Sequence, residues 1–108
     1  MSRHTVQVKA NTKSGVAILA MGYDSNPYPH FFCTLAESAE KIDEPLWSSI
    51  FALEYMRATD PDDFDGVLAG FGVTIPEFIK KALVEDWAKR QMNVEYFWHE
   101  DGTMEQMR

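Results

Sequence analysis

The chain is poor in the residues that carry covalent or metal chemistry. Among its 108 residues there is one cysteine, Cys33, and there are three histidines. A lone cysteine excludes an intramolecular disulfide, and the paired cysteines of a structural zinc site cannot be assembled. The sequence contains no glycine-rich phosphate loop and no nucleophile elbow. No cofactor and no metal is therefore expected. Long apolar runs are missing too: the longest, residues 16–22, falls far below the roughly 18 residues of a membrane helix. Met-Ser-Arg-His-Thr-Val at the start alternates polar and apolar residues, where a secretory signal needs a continuous apolar stretch. A cytoplasmic protein with no membrane partner is the expectation.

Positive charge is also scarce. Ten Lys and Arg stand against 17 Asp and Glu, a formal net charge of −7. The imbalance is local. Residues 1–23 carry Arg3, Lys9 and Lys13 and no acid, whereas residues 24–66 carry ten acids against Lys41 and Arg57. A field of this sign repels phosphate backbones, so direct nucleic-acid binding is disfavoured.

What the sequence does hold is the balance of one ordinary globular domain, with 45% hydrophobic, 13% aromatic and 25% charged residues. Residues 5–10 alternate polar and apolar with β-branched members, which predicts a strand with one wet face at or near a sheet edge. Residues 16–23 are apolar on both faces and predict a central strand. The turn formers and two prolines between Asp24 and Pro29 reverse the chain into a third strand, residues 30–35. Residues 45–56 fit either a strand or a helix, and a fourth strand through about Phe51 is favoured.

Helical signals follow. Asp60 caps, Pro61 suits the first turn, Asp62 and Asp63 complement the helix dipole, and Phe64, Val67, Leu68 and Phe71 form a stripe of about three turns ended by Gly72. Gly66 and Gly70 bare one side of this helix for close approach by another element. Thr74 to Glu77 has the form of a capping box. From there Ile75, Phe78, Ile79, Ala82, Leu83 and Trp87 make a second stripe, with Glu77–Lys81, Glu85–Lys89 and Asp86–Arg90 as i,i+4 pairs. A last strand covers residues 93–99. The predicted fold is α+β: an antiparallel sheet of four to five strands with two helices on one face, in the order β-β-β-(β)-α-α-β. Residues 1–99 form the single domain and residues 100–108 a polar, mobile tail.

Candidate sites are few. Cys33 alternates with Phe31 and Leu35 as a core residue does, and His30, three positions away on a strand, points to the opposite face. A thiol enzyme built on Cys33 would have to recruit His4 or His99. The run Asp60-Pro61-Asp62-Asp63-Phe64-Asp65-Gly66 imitates a calcium loop, but Phe64 stands at a ligand position and Asp65 where the glycine belongs. His99-Glu100-Asp101 reads as a solvated strand end. The two adjacent helices lack the basic charge a DNA-reading pair needs. Two features are left as candidate interaction surface: the acids Asp60, Asp62, Asp63 and Asp65, and the aromatics Tyr96, Phe97 and Trp98, of which at least one must lie opposite the helices.

Residues 21–27 (Met-Gly-Tyr-Asp-Ser-Asn-Pro) leading into Phe31-Phe32, and residues 72–76 (Gly-Val-Thr-Ile-Pro), resemble stretches of small uncharacterised proteins of bacterial plasmids and phages. The resemblance rests on turns and caps and implies an origin on a mobile element, with no activity to transfer. The leading functional expectation is a non-enzymatic protein-interaction module, binding another protein or itself as a homodimer through the uncovered sheet face or the strand at residues 5–10. An acidic inhibitor imitating nucleic acid, of the anti-restriction or anti-CRISPR type, is the second reading, and the Cys33 thiol enzyme the third.

Overall fold

The computed structural model describes residues 1–107. Three strands, β1 (Ser2–Lys9), β2 (Val16–Asp24) and β3 (His30–Ala36), form the antiparallel meander that the alternation and turn residues predict. Their inward rows are Val6 and Val8, then Ala17, Leu19, Met21 and Tyr23, then Phe31, Cys33 and Leu35, all buried.

The rest of the sheet departs from expectation. It has six strands in the order β4-β3-β2-β1-β5-β6, with β4 at Trp47–Ser48, β5 at Val94–Trp98 and β6 at Met104–Gln106. It is mixed, because β5 lies parallel to β1. The chain reaches β5 by passing through the helical layer, and such a crossover can return in either direction, whereas hairpin-linked strands cannot. β1 is therefore an interior strand, paired on both sides from His4 to Val6, and not the edge or near-edge strand its single wet face suggested. β6 pairs with β5 inside the stretch expected to be a polar tail.

Residues 45–56 are neither of the long elements considered. After β4 the chain coils through 3-10 turns at Ser49–Phe51 and Leu53–Tyr55. The expected first helix is a 3-10 turn, Pro61–Phe64, running into a short α1 (Asp65–Ala69). Gly72 closes this region at φ +75°, as its position implied. The space beside Gly66 is empty, however, so no element approaches that side of α1.

The second helix, α2, spans Glu77–Lys89. The capping box at Thr74 does not form: Pro76 occupies the cap position, and its carbonyl accepts from both Ile79 and Lys80 N–H. α2 ends on Arg90 in the left-handed conformation. That twist takes Arg90 off the helix face, so it turns to the Tyr23 hydroxyl at 3.1 Å instead of pairing with Asp86.

Both helices cover one side of the sheet. Phe64 and Leu68, with Ile75, Ile79 and Leu83, close the core over the inward rows, and Trp87 wedges against Tyr23 and Phe31. The other sheet face carries small or polar residues at its centre, among them Thr5, Ala20 and Thr34, with Phe32 toward one end and Phe97 toward the other.

Candidate interaction surface

The acidic run folds onto itself. The Asp60 side chain accepts from Asp62 N–H at 2.9 Å, and the Asp63 side chain accepts from Asp60 N–H at 3.3 Å, a reciprocal cap. Asp62 and Asp65 converge on Lys80 of α2, at 2.7 and 2.9 Å. Partial desolvation pulls the Lys80 ammonium pKa down. The hydrogen bonds and charges of the two carboxylates outweigh that pull and hold it above the ordinary lysine value. The four aspartates are thus occupied in starting one helix and tying it to the other, and they do not form a free row of carboxylates.

The aromatics of β5 divide as the alternation requires. Phe97 lies on the open face, flanked by Thr5 and Glu105 and edge-on to His99. Tyr96 and Trp98 point into the helical side. There Trp98 stacks on Phe78 at 5.1 Å, and Tyr96 stacks on the buried His4 ring at 5.0 Å. His4 Nε2 lies 2.6 Å from Asp86 Oδ2, and Trp98 Nε1–H donates to His4 Nδ1 at 2.9 Å. An indole N–H can only donate, so Nδ1 is the accepting nitrogen and the ring proton sits on Nε2, facing the carboxylate. Both nitrogens are spent, which leaves His4 no free lone pair for base catalysis. The chain Trp98–His4–Asp86 ties β5, β1 and α2 together.

Cys33 belongs to the core. It is fully buried, and desolvation pushes its thiol far above the usual cysteine range. Its backbone N–H donates to Ser49 Oγ at 3.0 Å, while His30 faces the other way with Nδ1 at the Tyr28 carbonyl. Thiol–disulfide exchange at Cys33 with a chromogenic disulfide reagent should accordingly run at least about 100-fold slower in the native protein than in the urea-denatured chain. Equal rates would remove Cys33 from the core.

His99-Glu100-Asp101 forms the hairpin between β5 and β6. Asp101 accepts from the Thr103 hydroxyl at 2.7 Å and from its N–H at 2.9 Å, which lowers the carboxyl below its ordinary pKa. His99 pairs with Glu105 at 3.4 Å. Among the described residues, no group of three or more His, Cys, Asp or Glu is placed to hold a metal ion, and no helix is long and apolar enough to cross a membrane.

The surface feature that sequence reasoning missed is the stretch from Leu46, just before β4, through Met56. Leu46, Ile50, Phe51, Leu53 and Met56 are all exposed, with Phe51 at 79% and Leu53 at 85%. The segment is anchored underneath and bare on top. Trp47 packs edge-on against Tyr55 and Phe64, Leu46 N–H donates to the Leu35 carbonyl, and Arg57 lies over the Tyr28 ring at 4.8 Å. Beside it a cavity of about 150 Å³ is lined by Tyr28, Phe32, Ile50 and Met56. Exposed Glu54 lies within the segment, and exposed Asp43 and Glu44 lie just before Leu46 in the chain. A signal was present in the sequence: Leu46-Trp47 and Ile50-Phe51 set large apolar residues side by side, so neither a period of two nor one of 3.6 could bury them all.

The fold is thus an open, mixed six-stranded sheet with two helices packed on one face, an α+β architecture of two layers. No family model, no curated protein and no solved structure matches the chain.

Proposed function

We propose that this protein is a non-enzymatic interaction module that pairs with a second copy of itself through the apolar stretch Leu46–Met56. The observation that carries the reading is the exposure of Ile50, Phe51 and Leu53, at 63%, 79% and 85%, on one anchored segment. With Leu46 and Met56 they present on the order of 500 Å² of apolar surface, near the upper end of what a monomer leaves uncovered in one patch. Two such patches plus their rims reach the roughly 1,200 Å² total at which specific interfaces begin. The buried polar groups are spent on structure, with His4 closed on both nitrogens and Cys33 enclosed, so the site favours contact over catalysis. Nucleic-acid mimicry draws less support, because Lys80 neutralises two of the four aspartates that would serve it.

The acidic rim gives the test its sign. A twofold interface brings Asp43, Glu44 and Glu54 of both copies together, and salt screens that repulsion. Light scattering after size exclusion should show a dimer whose share rises with salt. Replacing Phe51 and Leu53 by aspartate should weaken it by at least about 30-fold, with thermal stability unchanged at dilutions where both proteins are monomeric, since neither side chain is in the core. A monomer at both salts up to the solubility limit would sink the proposal.

A further inference from the structure

Part of β1 has no partner on one side. The strand runs to Lys9, but its parallel ladder with β5 stops where Val6 faces Trp98, because the chain there leaves for the β5–β6 hairpin. Backbone groups along a strand point alternately to the two sides. Ala10 N–H donates toward β2, to the Gly15 carbonyl, and Asn11 N–H donates the other way, to the Phe71 carbonyl at 2.8 Å. Lys9 and Gln7 therefore present their groups on the Asn11 side. Among the described residues, the N–H and C=O of Lys9 and the C=O of Gln7 meet no ladder or loop partner there. They border a cavity of about 370 Å³, lined also by Thr74, Pro76, Phe78 and Glu100. The result is a gap in a ladder, bounded by Trp98 at one end and by the Asn11–Phe71 bond at the other.

We propose that this gap is a strand-addition site for an extended peptide segment of a partner protein. The segment takes up the line of β5 and hydrogen-bonds along Gln7–Lys9. Unpaired edge amides beside an apolar wall recognise a peptide backbone in this way, and alternate side-chain pockets give the specificity. The residue beside Val8 points to the helical side, against Pro76 and Phe78, and should be apolar. The residue beside Lys9 points to the open face. Lys9 is exposed there and makes no ion pair among the described residues, so its cross-strand neighbour should be acidic. The partner's motif is an alternating apolar–acidic strand. This site is separate from the Leu46–Met56 patch and stands whether or not the protein dimerises.

The test is an amide-resolved NMR titration of the full chain with the blocked peptide acetyl-Val-Asp-Val-Asp-Val-amide, alongside a copy N-methylated on its amides and a copy with lysine for aspartate. The aspartate peptide should shift the Lys9 amide, slow its hydrogen exchange at least tenfold, and leave the amides of residues 50–53 unmoved. The N-methylated copy should not bind, and Lys9→Glu should reverse the preference between the aspartate and lysine peptides. Equal binding of the N-methylated copy, or no change at Lys9 with any peptide, would overturn the proposal. Shifts confined to residues 46–56 would assign peptide binding to the other surface and overturn it equally.

Discussion

Replacing Gly22 by alanine is expected to cost about 3 kcal/mol or more of stability, lowering Tm by roughly 10–20 °C. A methyl group at this position would overlap the Ser2 carbonyl oxygen and lie 2.5 Å from Cζ of Phe32. The Phe32 ring can rotate away, but Ser2 cannot retreat. Its hydroxyl accepts from Tyr23 N–H at 3.1 Å, and the preceding carbonyl, of Met1, accepts from Asn93 N–H at 2.9 Å. Moving it would break the ties between β1, β2 and the approach to β5. Gly66→Ala provides the contrast: it lies in α1 with nothing within 4 Å, so it should stabilise by about 0.5–1 kcal/mol. Urea unfolding of the two variants checks both, and a Gly22→Ala protein as stable as the parent would show that the β1–β2 end is slack.

Asp86→Ala should be nearly as damaging, at about 2–4 kcal/mol, because it leaves the buried Nε2–H of His4 without an acceptor. Asp86→Asn separates two accounts of the pair. An amide oxygen can still accept from Nε2–H of a neutral ring, so the tautomer set by Trp98 predicts a loss of no more than about 1 kcal/mol. If His4 were an imidazolium, the asparagine variant would fall as far as the alanine one. Denaturant melts give the energies. Nitrogen-correlated NMR of His4 should find Nδ1 as the unprotonated nitrogen, and a proton there would refute the Trp98 assignment.

The local elements were legible wherever one period governed a segment. The meander followed from alternation in β1, two-sided apolarity in β2 and the turn residues of 24–29. The buried faces of α1, of the 3-10 turn that leads into it and of α2 followed from spacing: Phe64, Leu68, Ile79 and Leu83 are enclosed as predicted. Cys33 in the core and the split of Phe97 from Tyr96 and Trp98 were read from side-chain alternation, but which of the two faces meets the helices was not. Spacing misled at Asp86, where an i,i+4 neighbour suggested a solvated pair with Arg90. Burial and the left-handed helix end decided otherwise, sending one residue to His4 and the other to Tyr23.

Sequence alone determined the α+β class, the order of the first three strands, the enclosed faces of the helices and the exclusion of an intramolecular disulfide. Each of these depends on residues within a few positions of one another. Tertiary structure decided the parallel seat of β5 beside β1, the interior place of β1, the coiled path of residues 49–55 and the closing of Trp98, His4 and Asp86 into one chain. Those outcomes join segments up to 94 positions apart. Where the chain crosses the helical layer, packing chooses the side on which it returns, and no local pattern encodes that choice.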